Sequence, residues 1–262
     1  MEYIFSTGGG VQSTACLVLA AQGVIPYKTF VFANVGDKAE SPHTVEYTRL
    51  IAKPYAKKHG IKWVEVAKVN RKGDAVDLYD DCMNNEKQIA IPMHYKDGGI
   101  GFRNCTSNWK IQPIAKWIKR NAPGCTLGVG ISTDEPHRAK PARDSDGYTK
   151  GYPLIDLGID RLKCLQIVEA EGLPQPPKSS CWFCPYHTTE GWTRRKREDP
   201  ELFAKAVDLE KVLHDRSIAD GKDPVFLTRH GRSLNRCIPD QLGLFPEWID
   251  EQDGCESVYC MT

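Results

Sequence analysis

The chain has 262 residues, 40% of them hydrophobic and 26% charged, a globular composition with enough apolar content for a core that needs no covalent staples. Its formal net charge of +1 excludes a strong global field toward nucleic acid, although a local basic patch would serve. No basic segment followed by an apolar stretch opens the sequence and no apolar run reaches spanning length, so a cytoplasmic protein without a membrane partner is expected, its ten cysteines serving metal or redox chemistry rather than a disulfide framework.

Tyr3-Ile-Phe5 reads as a short buried strand ending in a Gly-rich turn, and Ser13–Ala21 as the apolar helix that follows. Lys28–Ala33 is a second strand. Thr44–His59 has helical periodicity, with Val45, Leu50, Ile51 and Tyr55 on one face, and Lys62–Val66 is a third strand. Strand–helix–strand–helix–strand over so short a span implies right-handed crossovers and a parallel sheet. Residues 70–103 are polar and irregular, and are expected to pass over the active face. Lys110–Asn121 is an amphipathic helix, Thr126–Ile131 a Gly-flanked strand, and Asp160–Glu171 a helix closed by Gly172. The Pro-rich segment 173–178 reads as a boundary, giving an expected division into 1–175 and 176–262. A long charged helix is expected near Pro200–Asp220, followed by a Cys-bearing tail.

The turn Ser6-Thr-Gly-Gly-Gly-Val-Gln-Ser13-Thr14 joins a strand to a helix N-terminus, a place where backbone N–H groups and the helix dipole attract anions. A Walker A loop would carry Lys where Gln12 stands, and a dinucleotide fingerprint would carry Gly where Ser13 stands. The pyrophosphate-gripping pattern Ser-Gly-Gly-x-Asp-Ser fits with one added Gly and with Gln12 for Asp. A plain tight turn is the bland alternative.

Cys181-Trp-Phe-Cys184-Pro has a spacing that suits zinc, an iron–sulfur edge or a redox dithiol. Cys105 precedes a helix start, and Cys255 and Cys260 lie in the tail, so three or four of these could converge. Cys16, Cys125 and Cys164 sit among apolar neighbours and read as small buried hydrophobes, with Cys82 and Cys237 leaning the same way.

Together these segments resemble the phosphoadenosine phosphosulfate reductase family, a branch of the PP-loop (adenine nucleotide alpha-hydrolase-like) superfamily. The resemblance runs over most of the chain. It is carried by Ser6–Thr14, by Phe32-Ala-Asn34-Val-Gly36 with Glu40-Ser-Pro-His-Thr44, and by Cys105-Thr-x-x-x-Lys110-Ile-x-Pro113. Gly130-Ile-Ser-Thr-Asp134-Glu135-x-x-Arg138, Tyr152-Pro-Leu-Ile, Gly172-Leu-Pro-x-Pro-Pro-Lys178 and Cys181-x-x-Cys184-Pro185 complete the series in order.

The resemblance implies a Rossmann-like, doubly wound parallel sheet of the PP-loop type with a Cys-bearing helical extension. An adenine nucleotide, ATP or a relative, would lie on Ser6, Gly8, Gly9, Gly10, Gln12, Ser13 and Thr14, with Asn34 and Gly36 nearby. It also implies a 4Fe–4S cluster on Cys105, Cys181 and Cys184, with Cys255 or Cys260 as a fourth ligand or one iron left open; zinc is the alternative. Asn104-Cys105-Thr106 lacks the adjacent cysteine pair of cluster-bearing reductases.

Asp134 and Glu135 are candidate Mg²⁺ ligands and Arg138 a candidate anion clamp, since all follow a strand at its ligand-binding end. Lys110 could bind phosphate or lower the Cys105 thiol pKa. Two activities follow from the resemblance. One is adenylation followed by sulfur transfer to a nucleic acid or small molecule, supplied by a cysteine desulfurase-like donor. The other is reduction of adenylyl sulfate or its 3′-phosphorylated form, with Cys255 or Cys260 as nucleophile and a thioredoxin-like partner. A silent nucleotide-binding zinc module is the non-enzymatic alternative, and a homodimer is one candidate assembly.

Overall fold

The computed structural model describes residues 2–143 and 146–238. Strand β1 (Tyr3–Thr7) runs through the Gly-rich turn into α1 (Val11–Ala21) and on to β2 (Thr29–Asn34). The helix expected over 44–59 forms in three parts: α2 (Pro42–Tyr47), a π-helical turn (Thr48–Ala52) and α3 (Lys53–Lys58). Next come β3 (Lys62–Ala67), α4 (Leu78–Asn84) and the two-residue β4 (His94–Tyr95). A second π turn (Thr106–Ile111) enters α5 (Gln112–Asn121), followed by β5 (Thr126–Val129), β6 (Thr149–Gly151) and α6 (Pro153–Asp156). Beyond these lie α7 (Arg161–Ala170), α8 (Thr189–Glu198), α9 (Pro200–Ala219), β7 (Val225–Phe226) and α10 (Leu234–Cys237).

Both π turns precede a proline, Pro54 or Pro113, in the first turn of the next helix. Proline has no N–H and its ring crowds the carbonyl four residues back. The residue before each proline donates to the carbonyl five back, Lys53 to Thr48 and Gln112 to Ser107, and the turn widens.

The main sheet has the order β3-β2-β1-β5-β6 and every pairing is parallel. Alternation along the strands divides its faces. Phe5 and Phe30 pack under α1, α3 and α7, whereas Ile4, Val31, Ala33 and Leu127 pack under α5. The order reverses between β1 and β5, so the Gly-rich turn after β1 opens at the topological switch point, where a doubly wound sheet binds its ligand.

A further core lies beside the sheet. It joins Leu78, Cys82, Ile91 and Met93 from the 70–103 region to Trp182, Phe183, Trp192, Leu209 and Leu213. The region expected to cross the active face as irregular chain thus contains α4 and β4, and its Leu78, Cys82, Ala90, Ile91 and Met93 are committed to this core, while Phe102 stays exposed. Its β4 pairs antiparallel with β7 from the C-terminal part. Among the described residues, no helix is long and apolar enough to cross a membrane.

Candidate active site

At the switch point lies a cavity of about 580 Å³, a size that suits a nucleotide. Ser6, Gly8, Gly10, Gln12 and Ser13 line it, all from the expected loop. Gly9 and Thr14 serve the loop from behind. Gly9 has φ +76°, and a Cβ there would stand 2.9 Å from Thr48 Oγ1 and 3.1 Å from Thr44 Cγ2, so the loop can turn only as glycine. Thr14 Oγ1 donates to the Gly10 carbonyl at 3.0 Å, and Gly10 N–H donates to Ser13 Oγ at 3.2 Å. The segment Pro177–Ser179 crosses over the loop: Ser179 Oγ would lie 2.7 Å from a Cβ on Gly10, and Thr44 Oγ1 donates to the Lys178 carbonyl at 3.3 Å.

Asn34 and Gly36 stand apart from this cavity, which β2 reaches through Phe32 and Ala33. The Asn34 amide donates to Asp37 at 3.0 Å and Glu65 at 2.7 Å, and its oxygen accepts from Gly36 N–H at 2.8 Å. Both residues shape the exit of β2 toward Asp77.

Cations outnumber carboxylates on the cavity wall. Lys110, Arg138, Lys140, Arg143, Lys150, Arg161 and Lys178 line it, against the carboxylates of Glu135 and Asp146 among the described residues. Arg138 is 7% exposed; its Nη1 sits 2.5 Å from Glu135 Oε2, while its Nε has no hydrogen-bond partner among the described residues. A buried guanidinium donor without an acceptor is costly, and its fork geometry matches the oxygens of an anion. Arg161 Nη1 approaches Gln12 Oε1 at 3.5 Å, directly over the loop. Asp134 does not line the cavity; its Oδ2 accepts from the Arg161 N–H at 2.6 Å and the Ser132 hydroxyl at 3.1 Å, fixing the start of α7. Of these cations, Lys140, Arg143, Lys150 and Arg161 escaped sequence reading. They belong to segments with no motif spacing between them and meet only through the topology.

Burial holds the Lys150 ammonium below the usual lysine range, with Arg143 and Lys140 pushing the same way and Asp146 opposing them. A bound anion favours the charged form, so affinity should fall as pH rises, starting below the ordinary lysine value of about 10.4. Lys150→Gln should flatten that part of the profile. Pyrophosphate titrations at stepped pH check this, and an unchanged profile in the variant would refute it.

Next to the cavity is a small cleft of about 30 Å³ lined by Cys105, Cys181 and Cys184, together with Arg103, Tyr186 and Phe183. Two histidines brace its cysteine turn: His187 Nε2 donates to the Cys181 carbonyl at 3.0 Å and His94 Nε2 to the Pro185 carbonyl at 2.9 Å. Trp182 and Phe183 are buried behind it, Trp182 Nε1 donating to the Lys38 carbonyl at 2.6 Å. The Arg103 guanidinium lies 4.2 Å from the Tyr186 ring centroid. Among the described residues, no group of three or more His, Cys, Asp or Glu side chains is arranged to hold a metal ion. Cys255 and Cys260 lie outside the described residues.

The remaining cysteines behave as packing. Burial pushes the Cys16 and Cys82 thiols well up and the Cys164 thiol to about 12, so none of the three offers a ready thiolate. Cavity and cleft share one wall, the π turn Thr106–Ile111, and Lys110 lines both.

No protein-family model matches the sequence, and no curated protein matches it. Among solved structures, the chain is similar to phosphoadenylyl-sulfate (PAPS) reductase from Candida auris in a phosphate complex, at 14% identity and TM-score 0.43, over 67% of this chain and 75% of that one. It is also similar to the U34-tRNA thiolase NcsA from Methanococcus maripaludis with its 4Fe–4S cluster, at 15% identity and TM-score 0.44, over 81% of this chain and 72% of that one. Both are likenesses of chain fold at low sequence identity.

Proposed function

We propose that this chain is an adenine-nucleotide-dependent sulfur-transfer enzyme. The observation that carries the reading is Lys110, which lines both the cationic cavity at the switch point and the three-cysteine cleft beside it. A nucleotide's reacting group set against that wall would lie within reach of sulfur held on the other side.

In the leading mechanism an acceptor oxygen attacks the α-phosphorus of ATP. The new O–P bond forms as the bond to the bridging oxygen breaks, and pyrophosphate leaves with the negative charge. The N–H groups of the Gly-rich loop, Arg161 and Lys178 hold that charge, and Lys110 meets the charge that develops at the α-phosphate. Sulfur presented at the cleft then attacks the activated centre, and AMP departs with the acceptor oxygen. The acceptor class spans nucleic acid and small molecules.

Three thiols from two chain segments face one cleft, a donor set that suits a 4Fe–4S cluster, with zinc as the alternative. Cys105, Cys181 and Cys184 would hold the cluster, and when bound it would supply an iron site able to carry sulfide. His94 and His187 fix the backbone on which two of those thiols ride.

One contact favours the reductase reading. Gln12 faces Arg161 where ATP-cleaving relatives carry a carboxylate. In that reaction a thiolate attacks the sulfur of adenylyl sulfate, the S–O bond to the nucleotide breaks, AMP leaves, and a thioredoxin-like dithiol releases sulfite.

Anaerobic purification with iron, zinc and acid-labile sulfide analysis tests the centre. About four irons with matching sulfide are expected, lost in Cys105→Ser and Cys181→Ser; a colourless protein with stoichiometric zinc would overturn the cluster. Pyrophosphate release from ATP against sulfite release from adenylyl sulfate then separates the two reactions.

A further inference from the structure

Magnesium between the phosphates is what the sequence led us to expect, with Asp134 and Glu135 as its ligands. The side chains do not fit that role. Asp134 points its Oδ2 at the α7 N-terminus, accepting from Arg161 N–H at 2.6 Å, and does not line the cavity. Glu135 lines it but is spent on Arg138 at 2.5 Å, with both side chains mostly buried. Asp146 Oδ2 accepts from Arg143 N–H at 2.9 Å, and the loop itself offers the amide of Gln12. Mg²⁺ requires near-octahedral oxygen ligands at about 2.0–2.1 Å and is usually held through one or two carboxylates. What stands over the loop is a guanidinium, Arg161, 3.5 Å from Gln12.

We propose that Arg161 takes the place of the divalent cation, so that the Gly-rich loop binds phosphate or pyrophosphate groups as free anions without metal. The proposal rests on the anion-binding reading of the cavity. Three features support it together. The guanidinium is permanently charged and presents forked donors that match two phosphate oxygens. Gln12 neither repels an anion nor attracts a metal as a carboxylate would, and its amide oxygen lies 3.5 Å from Arg161 Nη1. The α7 backbone is pinned by Asp134, which holds the base of the Arg161 side chain in place. Mg²⁺ in solution then competes for the ligand, because it neutralises the charge that Arg161 and Lys178 recognise.

Isothermal titration of the full chain with ATP and with inorganic pyrophosphate, in EDTA and in excess MgCl₂, tests this. The expected result is a Kd in EDTA equal to or tighter than that in magnesium. Arg161→Ala should weaken binding in EDTA by about 10- to 100-fold, Arg161→Lys should weaken it less, and magnesium should rescue neither. Gln12→Asp should shift the preference toward the magnesium complex. Wild-type binding tighter by about ten-fold or more in magnesium, a gain of about 1.4 kcal/mol, would overturn the proposal alone and leave the nucleotide reading intact. Failure of folded protein, verified by circular dichroism, to bind either probe in either buffer would overturn the cavity reading and this proposal with it.

Discussion

Replacing Lys110 with alanine should lower turnover by about 10²- to 10³-fold, the usual cost of losing a donor aimed at developing charge. Nucleotide affinity should fall far less, because the loop, Arg138, Arg161 and Lys178 remain in the cavity. The side chain leaves the π turn Thr106–Ile111 and lines both cavity and cleft. Lys110→Arg keeps the charge but spreads it over a planar fork, and should restore only part of the rate. The measurement is kcat and KM for whichever product forms, pyrophosphate or sulfite, alongside a binding isotherm for the nucleotide. A variant that turns over within about three-fold of wild type would remove Lys110 from the chemistry, since such a difference is below about 0.7 kcal/mol.

The largest structural effect is expected at Gly36. Its φ is +118°, and a Cβ there would stand 2.1 Å from Asp77 Oδ2 and 2.7 Å from Asp77 Cα. Asp77 cannot retreat cheaply, since it caps α4 through the Tyr79 and Asp80 N–H groups and also accepts from Lys38 N–H at 2.9 Å. Gly36→Ala therefore combines strained backbone with a displaced cap, for a loss of about 3–5 kcal/mol. Thermal unfolding should show a midpoint lowered by about 10 °C, taking about 2–4 °C per kcal/mol for a chain of this size. A midpoint within about 2 °C of wild type would mean that β2 and α4 are joined more loosely than their contacts imply.

The parts of this fold that sequence made visible are those with a long enough pattern. Tyr3-Ile-Phe, Thr29–Asn34 and Lys62–Ala67 alternate or run apolar, and the Gly-rich turn between strand and helix is a local signal for a local structure. Strand β6 was invisible because Thr149-Lys-Gly151 has no apolar residue and pairs only with β5 at the sheet edge. Helix α4 and strand β4 were missed because seven and two residues give no measurable period, and their apolar residues are spaced for a core assembled mostly from residues beyond 180.

The site divided the same way. Loop residues and the three cysteines announced themselves by motif, and the fold sets the two groups on opposite sides of one turn. The family resemblance sets Asn34 and Gly36 near the ligand, whereas the chain turns them toward Asp37, Glu65 and Asp77. Asp134 suffered the same fate through α7, whose first N–H claims its carboxylate. A strand end tells which edge of the sheet a residue reaches, and the helix that arrives there decides where its side chain is used.

Among the described residues, seven cations against two carboxylates on the cavity wall exceed the chain's entire formal net charge of +1, so the remainder of the chain is net acidic. At long range such a molecule presents only its small net charge, so a small polyanion meets little field until it reaches the mouth, where low-dielectric walls concentrate it. Under the proposed function, the speed of encounter with a small anion would thereby be a property of the opening rather than of the whole protein.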